Sequence, residues 1–374
     1  MIRVLHFADI VNRHDPIDTV VQHADPQRFQ VGLCVRSERH NIAAPVYQER
    51  TPRWVLNGTS RRAIPQAARQ LARILRDWKA DILHTHHYDQ MFIGWLATRL
   101  YPRTRLIIGR HYSDAIYRLR QRLKVAIFLG VEQTINRAAQ RIIVPSTEVF
   151  EILTRRQGIS KEKVDLIPHG FEPEKYVAPS PSEIYRIRNE LGLHGRFVLG
   201  NFGRLHEEKG HRYLLEAAAT LKQQIPNLLI LLAGEGPERG AIERQIQELD
   251  LRGVVRLLGW RRDAITLMAS VDIVVQPSLG ESFGQVMVEA LWMRKPLITT
   301  NVGGALDIIK DGENGLLVPK EDAAALATAI ERLAGDAALR SRLAEAGRTY
   351  VAEHLVISKI IKRYEQSYLR AMES

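Results

Sequence analysis

The sequence predicts an α/β protein built from two doubly wound parallel-sheet domains in tandem. Three observations predict it. Short apolar strands alternate with helical segments along the chain. A proline-rich break interrupts the alternation near the middle. Charge is unequal across that break: residues 1–178 hold 28 Lys and Arg against 17 Asp and Glu, and residues 179–374 hold 25 against 25. The net charge of +11 therefore belongs to the first half. Halves with different electrostatics suggest domains with different partners.

In the first half, Ile2–Phe7 and Gln30–Val35 are short apolar strands, and Trp54 and Val55 suit a third. Apolar residues at Ile64, Ala67, Ala68, Leu71, Ile74, Leu75 and Trp78 form one stripe at helical spacing. Asp81–His84 is strand-like and runs into Thr85-His86-His87; Leu106–Ile108 and Ile142–Pro145 follow, with Ser146 as an N-cap. The break at Gly170–Ser182 carries Pro173, Pro179 and Pro181 and suits an exposed linker.

The second half restarts the alternation. Strands are predicted at Phe197–Asn201, Leu228–Ala233, Val254–Leu258, Ile273–Gln276, Pro296–Thr299 and Leu316–Val318. Helices are predicted at Gly210–Gln224, Gly240–Leu249, from about Phe283 to Met293, and through most of the tail from Ala323. In open sheets of this kind, ligands sit outside the carboxyl ends of the strands. The expected site is a cleft between the two domains.

Composition narrows the class. Hydrophobic residues make up 45% and charged residues 25% of 374, an ordinary globular balance that excludes wholesale disorder. One cysteine cannot form an internal disulfide, so the stapled secreted class is excluded and a reducing compartment is expected. No apolar run reaches the roughly 18 residues of a membrane span. The first eleven residues lack the basic-then-apolar plan of a signal peptide. The expected location is cytoplasmic, at most peripheral at the inner membrane face.

Two stretches carry the chemistry. In the first, Gly203-Arg204 and Lys209-Gly210 lie between a strand end and a helix start. Gly203 permits close backbone approach, and Arg204 and Lys209 can converge on a diphosphate, one as a planar fork and the other as a point charge. A solvated charged loop is the bland alternative. In the second, Glu281-Ser282-Phe283-Gly284 precedes a helix that contains Glu289. A helix start there would aim free N–H groups at an anion. Glu289 could reach a ribose and Glu281 a hexose; the alternative is a capping and a surface carboxylate. Glu289 is flanked by Met287, Val288, Ala290 and Leu291, which disfavours a fully solvated face.

These motifs, with Gly234-Glu235-Gly236-Pro237, Pro277-Ser278, Gly303-Gly304 and Asn314-Gly315-Leu316-Leu317-Val318, resemble the retaining glycosyltransferases of family 4. The likeness covers residues 165–320. It implies the GT-B architecture, two Rossmann-like doubly wound parallel-sheet domains facing across a cleft. The implied domains are an acceptor domain at 1–172, a linker at 173–182, a donor domain at 183–350, and a helix at 351–374 packing back on the first. The implied reaction is hexosyl transfer from a nucleotide diphosphate sugar, such as a UDP- or GDP-sugar, to a hydroxyl acceptor with retention. A place in cell-surface glycan or glycolipid synthesis is expected, with a glycan or lipid-linked acceptor and no cofactor. The resemblance implies that Arg204 and Lys209 bind the diphosphate, Glu289 the ribose and Glu281 the sugar hydroxyls. It also implies that the backbone at Ser282, Phe283 and Gly284 lines the phosphates and sugar and that Gly259 and the residues just after it approach the base, largely through backbone. No protein nucleophile is implied, since a leaving phosphate oxygen takes the acceptor proton.

The first half matches less well. His111 follows the strand Leu106–Ile108, where the family has a histidine that touches the donor sugar; a loop-capping histidine is the alternative. His84, His86 and His87 invite a metal reading, but no carboxylate of matching spacing accompanies them, and no metal is expected. His84 and His86 are assigned to the acceptor side. The family's glycine pair in the first loop is replaced by Phe7-Ala8-Asp9-Ile10-Val11-Asn12-Arg13-His14-Asp15, so Arg13 is the candidate acceptor contact there. This departure motivates the alternative of a nucleotide-sugar-binding protein with a degenerate site. A dinucleotide oxidoreductase lacks its glycine fingerprint here. Residues 99–124 are strongly basic and lead into the apolar run Val125–Val131. That segment suits either an anionic membrane surface or a buried helix with a solvated leading end. No nucleic-acid-reading motif is present.

Overall fold

A computed structural model describes residues 1–9, 16–36, 51–56, 63–111 and 122–373. It divides into one unit of Met1–Phe171 with Leu355–Ser374 and a second of Glu172–His354.

The first unit contains β1 (Ile2–Ala8), α1 (Pro16–His23), β2 (Phe29–Val35), β3 (Arg53–Val55), α2 (Ile64–Asp77), β4 (Ile82–His86), α3 (Tyr88–Leu100), β5 (Arg105–Gly109), α4 (Arg122–Ala138), β6 (Arg141–Val144), α5 (Thr147–Glu151) and β7 (Val164–Leu166). The second contains α6 (Pro181–Glu190), β8 (Phe197–Phe202), α7 (His211–Gln224), β9 (Leu228–Ala233), α8 (Arg239–Glu248), β10 (Val255–Gly259), α9 (Ala264–Ser270), β11 (Ile273–Gln276), α10 (Gln285–Trp292), β12 (Leu297–Thr300), α11 (Ala305–Ile308), β13 (Leu316–Val318), α12 (Ala323–Gly335) and α13 (Ala337–His354). The last helix, α14 (Ile357–Glu373), belongs to the first unit.

Each sheet is parallel throughout. The orders are β3-β2-β1-β4-β5-β6-β7 and β10-β9-β8-β11-β12-β13. In both, the direction of winding reverses beside the unit's first strand, between β1 and β4 and between β8 and β11. Such reversals open the crevice where doubly wound sheets take ligands.

Strand periodicity sorts the first unit's core onto two faces. Leu5, Phe7, Leu83, Leu106 and Ile108 pack with Leu71 and Leu75 of α2. Val4, Ile82, Ile107 and Ile143 pack with Ile360, Tyr364 and Tyr368 of α14. Asp165 of β7 pins that helix: it accepts from Ser367 Oγ at 2.7 Å, Arg370 Nη2 at 2.6 Å and Arg141 Nε at 2.9 Å. In the second unit, Leu199, Ile230, Leu232, Ile273 and Val275 pack with Leu214, Leu221 and Ile330 of α7 and α12.

Several local expectations need correction. Within the proline-rich segment expected as an exposed linker, Tyr176 is buried and α6 already begins at Pro181, with a capping box between Ser180 and Glu183. Ser146 stands at the N-cap of α5, but its side chain makes no capping bond. The run Val125–Val131 is helical without being buried: Ile127 is 60% exposed, and Phe128 stacks on Tyr88 at 3.8 Å between centroids.

Candidate functional site

The second unit's site is assembled from loops at the carboxyl ends of β8, β9, β10 and β11. Glycines knit these loops together. A Cβ on Gly234 would lie 1.7 Å from the Gly203 carbonyl oxygen, and one on Gly236 would lie 2.2 Å from that of Leu205. One on Gly210 would meet the Pro277 oxygen at 2.0 Å, and one on Gly304 the Phe283 oxygen at 2.4 Å. These four glycines thus make room for the backbone of neighbouring loops, whereas a Cβ on Gly203 itself would meet nothing closer than the Lys209 side chain at 4.0 Å.

Lys209 ends a 3-10 turn that Gly210 closes in the left-handed region, at φ 64°. Its Nζ donates to Glu281 Oε1, which also accepts from Ser278 Oγ at 2.8 Å. The pair is largely shielded, with 21% and 13% of the side chains exposed. Arg204 is exposed and has no side-chain partner among the described residues.

A pocket of about 320 Å³ brings Gly203, Arg204 and Glu289 together with Trp260 and Arg261. Gly259 turns β10 into that pocket with φ 70°, and its oxygen accepts from Gly234 N at 2.9 Å. The Lys209 stem passes 4.0 Å from where a Cβ on Gly203 would sit, so the Lys209–Glu281 pair borders the pocket. Trp260 is 68% exposed and offers a flat aromatic face. Arg261 is held by Asp263 at 2.6 Å and Glu190 at 3.0 Å.

Glu289 lies on α10. Burial pushes its carboxyl up to about 7, against a hydrogen bond donated by Tyr176 Oη at 3.0 Å. That donor is itself fixed, because Trp292 Nε1 donates to the Tyr176 carbonyl at 3.1 Å. α10 begins at Gln285, two residues later than expected, with Gly284 at φ 88° as its cap. Ser282 and Phe283 therefore precede the helix, and Phe283 is buried.

In the first unit, His84 and His86 are 0% and 2% exposed. They lie on the face of β4 that α14 covers, which corrects their assignment to a direct acceptor contact. His111 is partly exposed, but both its ring nitrogens are engaged: Nε2 with His86 Nδ1 at 2.9 Å and Nδ1 with His169 Nε2 at 3.1 Å. His6, His84 and His86 bring ligand atoms within 4.8 Å of one another, a set that could hold a metal ion. Arg13 lies outside the described residues.

Sequence reasoning missed Tyr176, His6, His169 and Tyr368, and it reached Trp260 only as one of the residues just after Gly259. Tyr176 stands in a proline-rich segment and Trp260 follows a motif glycine, so each had a neighbouring signal. His6 and Tyr368 join only through the fold.

Fold and site together define a protein of two doubly wound α/β units, one with a cationic, carboxylate-lined pocket at its topological switch point. A family model described as glycosyl transferases group 1 matches residues 184–350, and one described as glycosyltransferase family 4 matches residues 17–175. The 2-deoxystreptamine glucosyltransferase of Streptomyces kanamyceticus is 26% identical over 337 residues, covering 87% of this chain and 86% of that protein. The lipopolysaccharide core biosynthesis glycosyltransferase LpsE of Rhizobium meliloti is 38% identical over 150 residues, 40% of this chain and 43% of its own. Anabaena Alr3699/HepE, solved in complex with UDP-glucose, superposes with a TM-score of 0.85 at 23% identity, over 98% and 99% of the two chains. That likeness shows the shared GT-B fold. The chain belongs to the group 1, family 4 glycosyltransferases and is a retaining, nucleotide-sugar-dependent enzyme.

Proposed function

We propose that the second unit binds a UDP-sugar and that the first supplies the acceptor side. The observation that carries this reading is the pocket where Gly203, Arg204, Trp260 and Glu289 meet, bordered by the Lys209–Glu281 pair. A pocket of this size suits a nucleoside. Trp260 would stack on the base, and Glu289 would accept from the ribose hydroxyls with Tyr176 holding it in place. The backbone beyond β10 favours no base by itself; the UDP complexes known for the Anabaena protein support uridine.

In this reading Arg204 and Lys209 stabilise the diphosphate as negative charge develops on it, a preorganised electrostatic role. Glu281 performs two tasks. It holds the ammonium of Lys209 at the phosphate and offers its second oxygen to sugar hydroxyls. His111 would contact the donor sugar, as the resemblance implies. The acceptor proton would pass to a leaving phosphate oxygen, so no side chain is assigned as nucleophile. The acceptor would be a hydroxyl of a glycan or lipid-linked glycan, with the protein peripheral to an anionic membrane.

The test is a thermal-shift panel of UDP, GDP, ADP and their sugars, followed by donor hydrolysis with the hit. UDP is expected to raise the melting temperature, and UDP-sugar to be consumed. Arg204→Ala, Lys209→Ala and Glu281→Ala are each expected to lose 100-fold or more in turnover, on the order of one lost transition-state contact, while remaining folded. Wild-type turnover in all three, or stabilisation by no nucleotide, overturns the site assignment.

A further inference from the structure

The first unit buries a row of imidazoles at its switch point. Strand register puts His6 of β1 opposite His84 of β4, and His86 opposite Gly109 of β5. The period-two pleat turns all of them to the face that α14 covers. Only glycine fits at 109, because a Cβ there would lie 2.7 Å from His86 Nδ1, 2.9 Å from His111 Nε2 and 3.0 Å from His84 Nε2.

The polar atoms form one unbranched chain. His84 Nδ1 lies 3.1 Å from Tyr368 Oη, which lies 3.3 Å from His6 Nε2. His6 Nδ1 meets His86 Nε2 at 3.0 Å, His86 Nδ1 meets His111 Nε2 at 2.9 Å, and His111 Nδ1 meets His169 Nε2 at 3.1 Å. The centroids of each of the last three ring pairs are 5.2 Å apart. That separation exceeds the nitrogen contact by about two ring radii, so the contacting atoms lie close to the line of centres. This is the geometry of in-line N–H···N bonds. Lone pairs converging on one ion would not point at each other. Burial lowers the basicity of every ring in the row, so all are neutral.

A neutral imidazole has one N–H and one lone pair. In-line links then make the tautomers interdependent: His6, His86 and His111 all carry the proton on Nδ1, or all carry it on Nε2. Tyr368, with one hydroxyl proton, extends the rule to His84. The two global arrangements differ at the far end. His84 Nε2 is buried and has no hydrogen-bond partner among the described residues. It is a bare lone pair in the first arrangement and an orphaned N–H in the second. Buried orphan donors are rarer than underused acceptors, so the first arrangement wins.

We propose that His84, Tyr368, His6 and His86 are positioning residues that lock His111 in its Nδ1–H form, so that it offers a hydrogen-bond donor to a donor-sugar oxygen when it releases His169. The lock is a property of the row itself; its use on the sugar rests on the proposed role of His111.

Long-range ¹⁵N–¹H spectra of the full chain at neutral pH report each tautomer. The expected result is Nδ1–H at His6, His86 and His111, the form that free histidine disfavours. In His86→Gln, an amide that can donate or accept on either side, His6 should stay Nδ1–H while His111 shifts toward Nε2–H. Affinity for the UDP-sugar should then fall roughly two- to tenfold, the scale of one neutral hydrogen bond, with UDP affinity unchanged. Opposite tautomers at His6 and His111 in the parent overturn the lock, as does Nε2–H throughout or a stoichiometric metal by elemental analysis. A shifted His111 with unchanged sugar affinity overturns its use on the sugar and leaves UDP binding by the second unit standing.

Discussion

Glu289 shows burial and function pulling on one carboxylate in opposite directions. A ribose contact is served best by an acceptor, yet burial raises this carboxyl from 4.5 to about 7. The linkage follows from that direction. Between the two values the folded state holds a proton that the unfolded chain releases. The stability Glu289 allows is therefore fully present below 4.5, falls as pH rises through the window, and levels off above 7. The slope is at most ~1.4 kcal/mol per pH unit. Glu289→Gln is neutral at every pH, so its melting temperature should gain on the parent as pH rises from 4.5 to 7 and then run parallel. A difference that stays constant across the window would show that the carboxyl is not raised. The same substitution should weaken UDP binding, because an amide oxygen is a poorer acceptor than a carboxylate.

At the scale of elements, glycines decide how strand ends become a site. Gly210 closes the turn after Lys209, caps α7 at φ 64° and abuts the Pro277 carbonyl. Gly210→Ala adds both a left-handed penalty and a backbone clash, so a loss of at least ~2 kcal/mol is expected by thermal or urea unfolding. Gly253→Ala is the control, since nothing lies within 4 Å of its Cβ position; it should change little. Equal stability in both would show that the loops do not need the close approach. These elements also show what the sequence made legible. Alternating apolar runs located the strands because the code is local: a period of two or 3.6 is written in adjacent residues. The spacing of Gly203, Lys209, Glu281 and Glu289 was legible for a similar reason, since each follows a strand end. Tyr176 reaches Glu289 across 113 positions and Tyr368 reaches His6 across 362. No periodicity carries such pairings; they exist only once the sheet order is set. The exposed face of α4 stayed open between two readings because a continuous apolar run looks the same whether a neighbour covers it or not.

At the scale of the whole molecule, the division into units sharpens the charge asymmetry. The unit of residues 1–171 and 355–374 carries 31 Lys and Arg against 17 Asp and Glu; residues 172–354 carry 22 against 25. The unit proposed to hold a diphosphate is thus slightly acidic overall and would rely on a few placed cations, whereas the unit proposed for the acceptor is the basic one. That unit also leaves apolar side chains in the open, with Leu100 59% and Ile127 60% exposed. Among the described residues no helix is long and apolar enough to cross a membrane. Basic charge beside exposed apolar groups instead suits adsorption to an anionic bilayer, where each Lys or Arg near the surface contributes about 1 kcal/mol. The full chain should cosediment with vesicles containing phosphatidylglycerol at low salt and be released as ionic strength rises and the Debye length shrinks to about 8 Å at physiological salt. Vesicles of phosphatidylcholine alone should retain little. Ile127→Asp should weaken binding to the anionic vesicles at every salt concentration without changing UDP binding, because it places a negative charge on the adsorbing face and removes an apolar one. If the parent protein ignores anionic vesicles even at low salt, the basic unit serves a soluble acidic acceptor, and an acidic oligosaccharide should then compete with salt for the same face.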